Sequence, residues 1–247
     1  MNRRLVCLFV VCAWAVAAAD LPSGESLIQR FIERSGGVAA YAKARNAQMS
    51  GTVEIEGRNI SGKVEMVEEG DKSWTGLELP GIGKIEQGFD GETAWESNPI
   101  QGSRLIEGDE KSALKRSSGF ALIHSWKDEY SAARTVGEED FHGKPAWRVE
   151  MTPKDGKPET FHFDKESSLL VGMSATVSTP LGDIAADVTL SDYRAVDGIQ
   201  TPFTMTQGAM GQVIVMHFDR IAYNAAVPKD RFALPPEVKA LVAKKKQ

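Results

Sequence analysis

The sequence predicts an α+β protein: one half-open antiparallel β-barrel, a curled sheet of about nine to eleven strands, with helices covering its open mouth. Three observations predict it. Apolar and polar residues alternate in short runs from Gly51 to Ile221, the period of strands that keep one face dry. Tight-turn pairs such as Asp90-Gly91, Asp155-Gly156 and Asp197-Gly198 fall between those runs, which favours neighbouring antiparallel strands. Helical spacing replaces alternation in only two places, before the first strand and between Glu107 and Tyr130.

The chain opens with Arg3 and Arg4, an apolar run from Leu5 to Val16, and Ala17-Ala18-Ala19. That is the order of a secretory signal peptide, so residues 1–19 are expected to be cleaved near Ala19-Asp20 and the product to be periplasmic or secreted. The run of twelve apolar residues falls short of the about 20 that a spanning helix needs. Cys7 and Cys12 both lie inside it, so the exported product is expected to carry no disulfide. Val11 precedes Cys12 and Ala19 precedes Asp20, which does not fit an acylated cysteine at the cleavage site.

Ser23 can cap a helix in which Leu27, Ile28, Phe31 and Ile32 share a face, and Gly36-Gly37 can end it. A short second turn follows through Tyr41 to Ala44. Strands then follow through Val53 and Ile55, through Ile60, Val64 and Met66, from Trp74 to Leu79, through Ile85, Gln87 and Phe89, and at Trp95. Leu114, Phe120, Ile123 and Trp126 return to helical spacing, with Asp109 as a candidate cap and Gly119 as a break. Alternation is cleanest afterwards: Trp147, Val149 and Met151; Phe161 and Phe163; Val171 to Val177; Ile184 to Leu190; Phe203 and Met205; and Val213 to Ile221. No linker divides this run, so the organisation is a signal peptide at 1–19, one barrel domain at 20–236 and a basic C-terminal tail at 237–247.

Removing residues 1–19 leaves 228 residues, and loss of Arg3 and Arg4 moves the formal charge from −5 to −7. That length supports a packed core without cross-links or metals. An acidic chain without a basic stripe offers no footprint for nucleic acid. Lys244-Lys245-Lys246 reads as a solvated tail. The chemistry-bearing patterns are sparse. His162-Phe163-Asp164 and His217-Phe218-Asp219 repeat one tripeptide; two such pairs in register would make a zinc site, whereas a surface pair on a wet face needs no register. Gly81-Ile82-Gly83 lacks the third glycine of a dinucleotide loop, Glu86 standing in its place, and no metalloprotease or nucleophile-elbow motif occurs. Carboxylates such as Glu54, Glu65 and Glu150 alternate with core residues and read as an outer face. No cofactor or metal is expected.

A sheet of that length curls, with its apolar side inward. The inward side is expected to hold Val53, Ile55, Val64, Met66, Trp74, Leu79, Phe89, Trp95, Trp147, Val149, Met151, Phe161, Phe163 and Met173, with Met205 beside them. Methionine, unbranched and polarizable, adapts to ligands of varied shape. Phe89-Asp90-Gly91-Glu92-Thr93-Ala94-Trp95, followed by Asn98-Pro99, resembles the D-G-x-T-x-W…N-P hairpin of the bacterial periplasmic lipoprotein carriers, the LolA-like family. Phe232-Ala233-Leu234-Pro235-Pro236-Glu237-Val238 is similar to that family's closing F-x-x-P-P-x-V. The resemblance implies a carrier whose apolar barrel holds a lipid or the acyl chain of a lipoprotein, with a membrane-bound donor or acceptor as partner. It implies no catalysis. Leu27, Phe31, Phe120, Ile123 and Trp126 would form the lid, and a monomer is expected. In the family a buried arginine in the strand before the D-G turn ties the lid shut, whereas Val67 to Lys72 here contains none. Two alternatives stand beside the carrier: an envelope lipid or lipoprotein sensor, signalling by docking because only Glu237 to Gln247 follow the barrel, and a zinc-dependent hydrolase built on the repeated histidine-aspartate pairs.

Overall fold

The computed structural model describes residues 21–117, 126–179 and 182–245. The expected signal peptide and the lid residues Phe120 and Ile123 lie outside the described residues.

Helix α1, Gly24–Arg34, starts where the Ser23 hydroxyl accepts a hydrogen bond from the Ser26 amide, with Glu25 in its first turn and Arg34 in its last. Those charges oppose the helix dipole at both ends. Its apolar stripe, Leu27, Ile28, Phe31 and Ile32, is fully turned inward. A short α2, Gly37–Tyr41, follows.

The sheet has thirteen strands among the described residues, more than the expected nine to eleven. The first six are β1 Asn46–Ile55, β2 Ile60–Glu69, β3 Lys72–Leu79, β4 Gly83–Phe89, β5 Ala94–Asn98 and β6 Gly102–Ile106. Helix α3, Gly108–Ser117, comes next. The second run is β7 Tyr130–Phe141, β8 Lys144–Pro153, β9 Glu159–Asp164, β10 Leu170–Thr179, β11 Gly182–Val196, β12 Ile199–Ala209 and β13 Gln212–Tyr223. Two strands escape a search for alternation for different reasons. In β6 the inward position is taken by a charged residue, Arg104, and in β7 register shifts at Tyr130/Ala132 and Thr135/Gly137 break the period.

The spatial order runs β6 to β1, then β13 to β7, every pair antiparallel. Two meanders are therefore sewn together by β1 against β13, and the outermost strands β6 and β7 are not paired with each other. The barrel is half-open.

Register assigns the faces, since directly opposed residues point the same way. Met49 opposes Met66, Met66 opposes Thr75, and Val53 opposes Met216, which puts this row on the concave side. Val67 opposes Trp74 on the convex side, and Trp95 opposes Gly88 there. Of the three tryptophans expected inside the barrel, Trp74 and Trp95 thus lie outside it. Their rings lie flat over glycines: a Cβ at Gly76 would sit 2.5 Å from Trp74 Cη2, and one at Gly88 2.7 Å from Trp95 Cε2. Trp–Gly neighbours of this kind hide a large ring on an outer face without a bulge.

That convex patch is covered by the end of the chain. Val67, Trp74, Trp95 and Val238 form one buried cluster joined by Val227, Phe232 and Leu234. Residues of the expected basic C-terminal tail form helix α4, Pro236–Lys245, with Lys244 and Lys245 exposed. Val238 is completely buried, and Lys245 pairs with Glu107. The reason is the outer tryptophans: burying them needs a cover, and α4 supplies it although its own apolar stripe is narrow.

The largest core lies under α1 on the concave side of β8 to β12, where Leu27, Ile28 and Phe31 meet Val149, Met151, Phe161, Phe163 and Leu170. Phe31 and Phe163 have ring centroids 5.8 Å apart. Each of these side chains contributes about 1.5–3 kcal/mol by leaving water, so this half of the barrel is a solid interior. The other half is not filled by α1.

Candidate functional site

The unfilled half of the concave face encloses a hollow of about 380 Å3. Its floor is a belt of methionines from five strands: Met49 of β1, Met66 of β2, Met173 of β10, Met205 of β12 and Met216 of β13. Leu77, Ile85 and Val188 extend the apolar surface. The volume falls within the range of about 300–1,000 Å3 typical of small-molecule sites. Polar side chains gather towards one side, where Glu68, Ser73, Thr75, Gln87 and Glu96 line β2 to β5, with Gln207 opposite.

Helix α3 crosses the concave face over this hollow, contributing Leu114 and Ser117 to its lining. It is tied at both ends. Near its start Glu110 takes a two-pronged pair from Arg104 of β6, at 2.8 and 2.5 Å, and Arg104 also reaches Glu96 at 2.7 Å. Leu114 packs on the Phe89–Ala94–Ile106 cluster beneath. Near its end Arg116 donates to Glu159 Oε1 at 2.9 and 2.7 Å and to Asp155 Oδ1 at 2.9 Å. Ser112 adds a hydroxyl bond to Asp155 at 2.5 Å, and Tyr130 closes the group by donating to Glu159 Oε2 at 2.6 Å. Helix α3 therefore bridges β6 on one side of the barrel opening and the β8–β9 turn and β9 on the other.

The Arg116 side chain is 4% exposed and Glu159 13%. Burial alone pulls the guanidinium towards its neutral form, but the neighbouring Glu159 carboxylate outweighs that and raises its pKa above the ordinary value. Tyr130 is pushed up by burial first and then by Glu159, so it stays a neutral donor. Asp155, bonded by Ser112 and facing Arg116, is held below the usual carboxylate value. A buried arginine does fasten the cover of this barrel, although it stands on the helix, with one of its carboxylates on β9 and the other in the β8–β9 turn, whereas the sequence resemblance implies an arginine on a strand.

Of the residues expected to line the cavity, Met66 and Met173 do so. Val53, Val64 and Leu79 are on the concave side but buried in a packed cluster with Ile55 at its margin. Trp147, Val149, Met151, Phe161 and Phe163 belong to, or pack on, the solid core under α1. Phe89 sits beneath Leu114. Trp74 and Trp95 are on the far side of the sheet. Leu27 and Phe31 are core residues plugging the filled half, and Trp126 packs against that same core. Sequence reasoning passed over Met49, Met216 and the polar row ending at Glu96. The signal that would have found them is register: once Met66 is known to face inward, its cross-strand neighbours must too.

The repeated His-Phe-Asp tripeptides do not meet. One is on β9 and the other on β13, with three strands between, which is about 19 Å at the usual strand spacing. No group of three or more His, Cys, Asp or Glu among the described residues is placed to hold a metal ion. His217 is exposed and touches Thr204. His162, expected at a wet surface, is 3% exposed under a stacked Phe141 ring 3.9 Å away. Its Nδ1 stands 2.9 Å from Glu139 Oε1, yet out of line for a directed hydrogen bond, so the contact is electrostatic. Burial lowers its pKa, with Glu139 opposing.

A second hollow, about 560 Å3 and more open to solvent, lies beside β6 and α4, between Leu105, Lys111, Val242 and Lys245. It is a surface groove. No helix among the described residues is long and apolar enough to cross a membrane.

No protein-family model and no curated protein matches this sequence. Solved structures do resemble the fold. A DUF1329 family protein from Desulfovibrio piger superposes with a TM-score of 0.56 at 16% identity, over 86% of this chain and 98% of that one. A LolA superfamily protein from Nitrosomonas europaea gives 0.55 at 11% identity, over 87% and 99%. A putative outer membrane lipoprotein-sorting protein domain from Vibrio parahaemolyticus gives 0.51 at 14%, over 85% and 96%. The chain has a LolA-like fold.

Proposed function

We propose that this LolA-like barrel is an exported carrier that holds an acyl chain, of a lipid or of a lipoprotein, in the hollow under α3. The observation that carries this reading is the methionine-floored cavity of about 380 Å3 on the concave face, left open where α1 fills the rest. Such a surface binds by removing apolar area from water, at about 0.8 kcal/mol per buried methylene, and five flexible thioethers let it fit chains of differing length and saturation. No nucleophile or general base is required of it, so the role is transport or chaperoning. Loading needs α3 to lift at one end while the other holds. The Arg116 end is the firmer, being buried, and the Arg104 pair, with its guanidinium side chain 39% exposed, is the end that opens at low cost.

The test is organic extraction of protein purified from the envelope of its own host, followed by mass spectrometry. Recovery of an acyl lipid or an acylated peptide near one per barrel supports the carrier. Repeated recovery of none, together with failure of the protein to enhance the fluorescence of N-phenylnaphthylamine, removes it.

A further inference from the structure

The chain holds eight methionines, and five of them, Met49, Met66, Met173, Met205 and Met216, meet at one hollow. They come from both meanders, with Met49 directly across from Met66 and Met205 directly across from Met216. Burial divides the methionines after Met1 into three classes. Met210, in the β12–β13 turn, is 68% exposed; Met49, Met66, Met173 and Met205 are half-buried; Met216 and Met151 are 3% and 0% exposed. No residue from Asp20 to Gln247 is a cysteine, so the thioethers are the side chains there that a two-electron oxidant attacks most readily.

Position decides what an added oxygen does. In the packed core under α1 a sulfoxide has no room, whereas in a hollow of about 380 Å3 its oxygen projects into the cavity and the fold survives. Polar partners stand close by. The Gln207 amide already donates to Met205 Sδ at 3.7 Å, and Thr75 stands directly across from Met66. A thioether is only a weak acceptor and a sulfoxide oxygen a stronger one, so these groups favour the oxidised side chains. An acyl chain laid on a floor of sulfoxides strips water from their oxygens without replacing it.

Resting on the carrier reading, we propose that the methionine belt is a reversible oxidation site, modified by a hypohalous acid, that turns acyl binding off without unfolding the barrel. At each sulfur a thioether and one hypochlorous acid give a sulfoxide, chloride and a proton. A sulfur–oxygen bond forms, the oxygen–chlorine bond breaks, and two electrons pass from sulfur to chlorine. A methionine sulfoxide reductase fed by thiols returns both electrons, and the oxygen leaves as water. A bound acyl chain covers the sulfurs, so the empty carrier is the form that is silenced.

The test treats purified protein with graded hypochlorous acid, maps each methionine by peptide mass spectrometry, and reads N-phenylnaphthylamine binding and circular dichroism on the same samples. Oxygen addition is expected at Met210 first and at Met49, Met66, Met173 and Met205 next, with Met151 unmodified. Dye affinity should hold while Met210 alone is oxidised and fall about ten-fold or more as the belt follows, with circular dichroism unchanged. Reductases for both sulfoxide epimers should restore it. Saturating monopalmitoylglycerol should slow oxidation of the belt and not of Met210; equal rates with and without it overturn the shielding. A variant carrying Met49→Leu, Met66→Leu, Met173→Leu and Met205→Leu nearly conserves volume and should bind dye equally before and after treatment. A belt as resistant as Met151, or an oxidised belt that binds dye within about two-fold of the untreated protein, overturns the inference and leaves the carrier standing. Loss of binding in the leucine variant on treatment, or failure of the reductases to restore binding, moves the effect away from these thioethers and overturns it too. Untreated protein that binds neither dye nor monopalmitoylglycerol brings down the carrier reading itself.

Discussion

Arg116 is a full positive charge placed where water scarcely reaches, and its cost is met by Glu159 on one side and Asp155 on the other. Truncation to alanine leaves the largely buried Glu159 with only Tyr130 as a hydrogen-bond partner among the described residues, and loss of one partner from a buried pair costs about 3–5 kcal/mol. Arg116→Ala is therefore expected to lower the denaturant midpoint sharply without changing the strand content seen by circular dichroism; a shift of less than about 1 kcal/mol would show the pair to be solvated. His162 makes a pH prediction. Its folded-state pKa lies below the ordinary 6.5 because burial disfavours the imidazolium. A group that is harder to protonate when folded gives the unfolded chain more protons in acid, so stability is complete above about pH 6.5 and is lost as pH falls from there towards the folded pKa. His162→Gln, neutral throughout, should flatten that part of a midpoint-against-pH curve, and an unchanged slope would move the titration to another group.

Helix α3 is short and mostly polar, and it keeps its place through side-chain ties at both ends rather than through its own burial. Ser112 and Asp155 are in direct contact across the gap, and no residue from Asp20 to Gln247 is a cysteine. A Ser112→Cys, Asp155→Cys pair offers a reversible staple. Oxidised, it should slow N-phenylnaphthylamine uptake, and reduction should restore it; equal uptake in both states would mean that entry does not need α3 to move. Helix α4 works differently. It is held by one fully buried residue, Val238, over Val67, Trp74 and Trp95. Val238→Asp puts an unpaired carboxylate into that patch at a cost of several kcal/mol, and the expected signature is a red shift in tryptophan emission with the concave side still able to bind dye.

For the whole molecule, the division of the concave face into a filled half and an empty half decides what the barrel can do. Filling the empty half should separate fold from function: Met205→Trp, placed in the methionine belt opposite Met216, is expected to abolish dye binding while changing stability by about 1–3 kcal/mol, the range for overpacking. The sequence by itself determined a great deal of this architecture. A period of two, interrupted by Gly-containing turns, is enough to specify antiparallel neighbours, because side chains on a strand must alternate. The cap at Ser23 and the stripe from Leu27 to Ile32 specified α1 in the same local way. The interior was legible only as burial. Alternation says that Trp74 and Met66 are both sheltered, but they stand on opposite faces, and which face is concave depends on how the two meanders join at β1 and β13. Likewise Arg104, Arg116, Glu96 and Glu159 look like ordinary surface charges in sequence; strand order brings the edge strand β6 and the inner strand β9 to either side of α3 and turns them into ties. Local periodicity fixes which residues avoid water, because that preference belongs to each side chain and its neighbours along the chain. What shelters them, a packed helix, a C-terminal cover or an empty hollow, is a relation between segments far apart in sequence, and only the tertiary structure decides it.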